Sequence, residues 1–285
     1  MSYTLGEGCC GKVRKGLYNG SVAAIKSVPY EITDEDDLRR ECRVYETLNY
    51  KNVVKLLGPP EPGSDGWQIP LEFIEGCTLE ELIFPPGKLS TADKDYIIFG
   101  MCDGLRYLHS KNVVHQDLKP NNIMVRRSTK EAVIIDLGLA KFVNYTESGN
   151  PFSSGQNRGF RQYAAPEAHA GNIRTRKSDV WSMGKVIAEV ILGYVLEWDH
   201  CSPQNVQNLL HGSKYAAIVP RMLEINPHIR VTMEDVVNHL RSVNTILTHA
   251  EGIKRAAPAE PLSWMWIIPV LAAAAAVPLL ALAIL

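Results

Sequence analysis

The chain has 285 residues, with 30 Lys+Arg against 31 Asp+Glu and a formal net charge of -1. That length suits one catalytic unit with a short appendage and is enough to bury a sizeable core. The balanced charge argues against nucleic acid as a partner, because a surface that neutralises phosphates needs a net basic face. The N-terminal MSYTLGEG has neither a basic n-region nor an apolar run, so no secretory signal is expected, and Ser2 is not an acceptor for N-myristoylation. Glycines at Gly6, Gly8, Gly11, Gly16 and Gly20 punctuate short apolar runs that read as strands. Val22 to Val28 reads as a buried strand interrupted by Lys26. A helix follows, with Thr33 as N-cap, acidic residues in its first turn, and Leu38, Cys42, Tyr45 and Leu48 on one face. Pro59 to Gly66 is a turn-rich loop, and Gln68 to Ile74 is a strand.

From Thr91 the pattern turns helical, with Ile97, Ile98, Met101, Leu105 and Leu108 on one apolar face. Val113–Val114, Ile123–Val125 and Val133–Ile135 are expected as small strands. Asn144 to Gln162 is polar and reads as a long loop, and later helices are expected over Val180–Leu192, Tyr215–Leu223 and Met233–Leu240. Six cysteines form no C-x-x-C pair, so neither a zinc site nor a redox motif is indicated. Free thiols in a reducing compartment fit better. A strand-rich first part and a helix-rich second part imply two lobes around a cleft.

Three segments carry chemistry. In Gly6-Glu7-Gly8-Cys9-Cys10-Gly11 the glycines let the backbone pass close over phosphates. The spacing alone also suits a dinucleotide turn, but such a turn opens into a helix, and here strand-type residues follow. A lysine inside an apolar strand needs an anionic partner. Glu41, on the helical face shared by Leu38 and Tyr45, is the candidate for Lys26. In His115-Gln116-Asp117-Leu118-Lys119-Pro120-Asn121-Asn122, a carboxylate, a lysine and an amide share one tight loop. These can accept a hydroxyl proton, stabilise phosphoryl oxygens and bind Mg²⁺. Asp136 in Ile135-Asp136-Leu137-Gly138 adds a second carboxylate at a strand end.

In this order and spacing the segments resemble a eukaryotic protein kinase of the serine/threonine type, from about Leu5 to about Leu240. Ala165-Pro166-Glu167, Asp179-Val180-Trp181-Ser182-Met183-Gly184 and Arg230 extend the resemblance. It implies an α+β, bilobal kinase fold over 1–247, with an N-lobe to about residue 74. It implies ATP and Mg²⁺ as cofactors and protein substrates as partners. Gly6, Gly8 and Gly11 would cover the phosphates, and Lys26, oriented by Glu41, would hold them. Asp117 would be the base, with Lys119 beside it, and Asn122 and Asp136 would carry the metal. Leu71 would guard the back of the adenine pocket, Glu72 and Ile74 would offer backbone groups, and Val13, Ala24 and Met124 would sandwich the ring. Lys119, two residues after Asp117, points to Ser/Thr specificity. Gln116 replaces the arginine that usually receives a loop phosphate, Leu137 replaces a phenylalanine, and Phe160 stands where a threonine is usual. A pseudokinase scaffold is the alternative, although it would not need Lys26, Asp117, Asn122 and Asp136 together. A small-molecule phosphotransferase fits less well with Ala165-Pro166-Glu167 and the long loop before it.

Residues 248–263 read as a linker, and Trp264 to Leu285 is an uncharged apolar run. As a helix that run would be about 33 Å long, against about 30 Å for a bilayer core. Trp264 and Trp266 suit the interface, and Lys254 and Arg255 lie on the kinase side. The expectation is one C-terminal transmembrane anchor with a cytosolic kinase and membrane-proximal substrates. The endoplasmic reticulum or a later secretory membrane is favoured over the mitochondrial outer membrane.

Overall fold

A computed structural model describes residues 4–8, 11–31, 35–84, 89–142, 161–171 and 174–254, with the side chains of 4–8, 35–37, 40–41 and 245–254 outside the described set. The elements in chain order are β1 (Thr4–Gly8), β2 (Gly11–Tyr18), β3 (Ser21–Val28), α1 (Glu35–Glu46), β4 (Glu61–Pro62), β5 (Trp67–Glu72), β6 (Gly76–Thr78), α2 (Leu79–Ile83) and α3 (Thr91–Ser110). They continue with β7 (Val113–Val114), β8 (Ile123–Arg126), β9 (Ala132–Ile134), β10 (Lys141–Phe142), α4 (Pro166–His169), α5 (Arg176–Leu192), α6 (Pro203–Leu209), α7 (Val219–Met222) and α8 (Met233–Lys254). The strand-rich first part and helical second part are the α+β arrangement expected from sequence. Met1–Arg241 form one compact unit and Ser242–Leu285 a second.

The large sheet runs β1-β2-β3-β5-β4, with every neighbouring pair antiparallel. Its register sets Val13 opposite Lys26 and Ala24 opposite Leu71. A second sheet, β6-β8-β9, lies at the junction with the helices, and β10 pairs with β7. Leu38, Cys42 and Tyr45 of α1 are all buried, as their helical spacing requires, and so is Leu48 just past the helix end. Ile97, Ile98, Met101, Leu105 and Leu108 form the fully buried stripe of α3, whose N-cap Ser90 accepts from Asp93 N at 3.1 Å. The main core gathers these around Trp181, Met183 and Ile187 of α5 and Val236 and Val237 of α8.

Several elements depart from the sequence reading. Tyr215–Leu223 is not one helix: helix is confined to Val219–Met222, preceded by turns in which Tyr215 O accepts from Ile218 N and Val219 N. Pro220 has no N–H to continue an α-helical ladder from the preceding residues, and it stands at the start of α7. Helix α8 runs past Leu240 to Lys254, into the stretch read as linker: 241–251 carry no Gly or Pro, and Gly252 falls only in the last turn. Short α2 and α6 were not anticipated. Their signals are local: Thr78 and Glu81 form a capping box, and Ser202 caps α6 just before Pro203. Thr33, Phe160 and residues 264–285 lie outside the described residues. No helix among the described residues is long and apolar enough to cross a membrane.

Candidate active site

The site forms where the large sheet meets the loops above α5. The β1–β2 hairpin brings Gly8 opposite Gly11. Gly11 has φ 131, and a Cβ there would collide with the Ser27 carbonyl of β3, so only glycine fits this close approach. Gly6 and Gly8 lie on β1, and Cys9 and Cys10 are outside the described residues. Val13 and Ala24 are partly buried on the sheet, and Met124 of β8 is partly buried against the core. Leu71 is buried and bridges to Leu56 across a single pairing.

Glu72 closes β5, and its N–H donates to Lys55 O at 2.8 Å. Its carboxylate takes the Arg126 guanidinium at 2.6 Å, and Arg126 also lies 3.7 Å from Glu131. An ion pair therefore ties the end of the large sheet to the β8–β9 turn. Ile74 is buried just beyond.

Lys26 is 5% exposed, and its ammonium donates to Asp136 Oδ1 at 3.2 Å. The bond links residues 110 positions apart and joins the sheet to the metal-type loop. Glu41 lies on α1, but its side chain is outside the described set, so the expected Lys26–Glu41 pairing cannot be read. Burial alone would raise the Asp136 carboxyl. Lys26 and the Gly138 amide, which donates to Oδ1 at 3.0 Å, outweigh it and hold the group below the usual carboxylate value. Leu137 N donates to the Tyr45 hydroxyl at 3.1 Å, fastening the same loop to α1.

Asp117, 8% exposed, lies in a cluster that the sequence placed in one loop. Lys119 Nζ donates to its Oδ2 at 2.8 Å, and Asn122 Nδ2 donates to its Oδ2 at 2.9 Å and its carbonyl at 2.7 Å. Below it, the His115 ring is completely buried, and its Nδ1 accepts from Asp117 N at 3.2 Å. Burial lowers the imidazole's proton affinity against the pull of Asp179, Asp136 and Asp117, so it is neutral with its proton on Nε2. That nitrogen has no hydrogen-bond partner among the described residues.

Asp179, near the start of α5, belongs to a segment that extends the resemblance in sequence, which assigns it no role; in the structure it is an anchor. Its carboxylate accepts from His115 N at 2.8 Å, Gln116 N at 2.9 Å and His109 Nε2 at 3.0 Å. The available signal was a carboxylate in an apolar helical segment, which needs donors wherever it is buried. Tyr45 was missed likewise: it was counted as apolar, yet a buried tyrosine hydroxyl usually has a partner.

On the far side, Glu167 receives Arg230 through two bonds, 2.8 Å to Oε1 and 3.0 Å to Oε2, and Ser178 Oγ at 2.9 Å. The Arg230 side chain is wholly buried, and it also donates to Lys177 O and Glu224 O. Nearby, Lys185 and Glu189 form a dry pair at 2.5 Å. Glu189 also accepts Tyr163 OH at 2.8 Å and Leu196 N at 3.1 Å.

The expected metal residues fit Mg²⁺ by donor chemistry. Asn122 spends its Nδ2 on Asp117, and its amide oxygen is a hard donor of the kind Mg²⁺ takes. Asp136 has Oδ2 remaining while Oδ1 is engaged. Among the described residues no three His, Cys, Asp or Glu cluster as a self-sufficient metal cage. Two oxygen ligands completed by substrate phosphates is the usual mode for Mg²⁺.

Comparison with known proteins gives the same direction. A family model described as protein kinase domain matches residues 1–240. A Dictyostelium discoideum protein named a probable serine/threonine-protein kinase is 35% identical over 202 residues, covering 67% of this chain and 39% of that protein. CBL-interacting protein kinase 17 of Oryza sativa subsp. japonica is 29% identical, with 84% of this chain and 55% of the relative covered. NUAK family SNF1-like kinase 1 of Homo sapiens is 27% identical, with 84% and 37% covered. The chain thus spans less than two thirds of each of these relatives.

Proposed function

This chain belongs to the protein kinase family, and from that premise we propose that it transfers the γ-phosphoryl group of ATP to serine and threonine hydroxyls of proteins. The observation that carries the reading is the joint placement of Asp117, Lys119 and Asn122 beside a Lys26–Asp136 pair. Asp117 accepts the substrate hydroxyl proton while Asn122 Nδ2 orients its Oδ2. Lys119, held on the same oxygen, faces the transferred group with a positive charge. Lys26 holds the nucleotide phosphates, and the glycines of the β1–β2 hairpin lie over them. Mg²⁺ at Asn122 and Asp136, when bound, neutralises charge on the phosphate oxygens. The work is positioning and charge stabilisation, so small displacements of Asp117 are costly.

The test is peptide-array phosphorylation by the full chain with Mg·ATP. Wild type phosphorylates Ser/Thr peptides. Asp117→Asn lowers turnover by about 10²- to 10⁴-fold while ATP still binds. Asp136→Asn loses Mg²⁺-dependent nucleotide binding. Wild-type turnover by Asp117→Asn sinks the reading. A pseudokinase scaffold gains no specific support, since the Lys26, Asp117, Asn122 and Asp136 set is complete.

The same reading extends to location. The uncharged run from Trp264 to Leu285 supports a C-terminal membrane anchor, with the kinase on the cytosolic side of an endoplasmic reticulum or later secretory membrane. Tethering raises the effective concentration of membrane-proximal substrates. Carbonate extraction with protease protection tests this: extraction of the full chain by carbonate, or a kinase domain shielded from added protease, overturns it.

A further inference from the structure

Gln116 immediately precedes the Asp117 carboxylate and has φ 72, in the left-handed region that is costly for a side-chain-bearing residue. Such a turn persists only where its surroundings over-determine it. Here both faces of the Gln116 residue are gripped. Its N–H donates to Asp179 Oδ1 at 2.9 Å, and its carbonyl accepts from Arg174 Nη1.

Arg174 comes from a distant stretch, 58 positions on, in the segment between α4 and α5. It directly precedes Thr175, which caps α5. Asp179 lies one turn into that helix, so both grips on Gln116 come from one rigid helix entrance. Arg174 is partly buried, and burial lowers its proton affinity against the attraction of Asp117 and Asp179. An arginine keeps its charge through such a shift. The residue next to the base is neutral Gln116, so Arg174 brings a cation to the catalytic loop from outside it.

We propose, on the kinase reading given above, that Arg174 is a positioning residue for phosphoryl transfer: its guanidinium holds the Gln116 carbonyl and so keeps the left-handed turn that aims Asp117. It touches neither nucleotide nor acceptor hydroxyl and acts through the peptide before the base. Asp179 grips only the N–H side of Gln116, and the other end of the peptide that carries its carbonyl is held by the single 3.2 Å bond from Asp117 N to His115 Nδ1; without Arg174 that one bond is left to fix the peptide before the base. The expected signature is a loss in kcat with ATP affinity preserved, because Lys26 and Asp136 are held by separate bonds.

The experiment compares full-length wild type, Arg174→Ala and Arg174→Lys in steady-state peptide phosphorylation. Arg174→Ala is expected to lose about 10- to 100-fold in kcat, the scale of a roughly 1 Å misplacement, with KM for ATP changed less than about threefold. Arg174→Lys restores part of the loss, and millimolar guanidinium chloride stimulates Arg174→Ala but not wild type. A kcat within twofold of wild type overturns the assignment. So does a loss that neither lysine nor guanidinium relieves. A wild-type chain without any phosphoryl transfer would instead sink the kinase reading. Amide hydrogen exchange over 113–122 then decides on Arg174 by itself: exchange raised about tenfold in Arg174→Ala supports it, and unchanged exchange overturns it.

Discussion

Two lysine–carboxylate pairs sit in the same compact unit under opposite conditions. In the cleft, Lys26 and Asp136 are 3.2 Å apart, with the carboxylate side chain 35% exposed. Within α5, Lys185 and Glu189 are 2.5 Å apart and both are 0% exposed. The dry pair is fully engaged: Glu189 takes Tyr163 and Leu196 as well, and Lys185 lies 4.2 Å from the Tyr163 ring centroid. The cleft pair is left partly hydrated, and both bonds to Asp136 fall on the same oxygen, Oδ1. Hydration separates charges that hold the fold from charges that a ligand can recruit. A buried pair resists any change in one partner, because the survivor is stranded, whereas a half-wet pair exchanges a protein partner for phosphate or metal at little cost.

Breaking each side in turn tests that contrast. Lys185→Ala should have the largest effect on stability, about 3–5 kcal/mol, because Glu189 is left in a dry core without its cationic partner. Urea unfolding checks it, and an unchanged midpoint would mean that the pair is not structural. Tyr45→Phe removes the acceptor of the Leu137 amide and should cost about 1–3 kcal/mol. Peptide turnover should fall with it, and a variant as stable and active as wild type would remove Tyr45 from the coupling of α1 to the metal loop. Lys26→Met should shift stability by no more than about 1 kcal/mol, since Asp136 stays partly hydrated, yet abolish phosphorylation. A melt as damaged as that of Lys185→Ala would erase the distinction.

The smallest expected signal is a slope with pH. Burial raises the Glu167 carboxyl, but the Arg230 bonds and Ser178 more than offset it, so the folded value is depressed. A depressed carboxylate contributes stability that is fully present above the unfolded value of about 4.3 and is lost as pH falls through the folded value. Wild type should therefore lose more stability than Glu167→Gln between about pH 5 and pH 2. Equal acid slopes in denaturant titrations would contradict it.

The legible part of the molecule was the part written in short spans. Lys119 and Asn122 lie within five residues of Asp117, and the bonds among them follow the loop that their spacing suggested. The α3 stripe and β7 were likewise read from local periodicity. What stayed hidden was made by long-range closure. Tyr45 meets Leu137 across 92 positions, Asp179 meets Gln116 across 63, and Arg174 meets it across 58. No local pattern distinguishes a tyrosine with a partner that far along the chain from one that only fills space. The Tyr215–Leu223 misreading has a different origin: apolar spacing was weighed above Pro220, whose missing N–H limits the ladder.

The Glu72–Arg126–Glu131 ion triad has a kinetic consequence. It spans the junction of the two sheets, with side chains 23% to 31% exposed, so dissolved ions reach it. It acts as a spring across the joint of the cleft, stiff in dilute buffer and slack in brine. Nucleotide should then enter and leave faster as ionic strength rises, with both rate constants moving together and the affinity changing less than either. Stopped-flow association and release across a salt series would register this, and in Arg126→Gln that shared salt dependence should flatten.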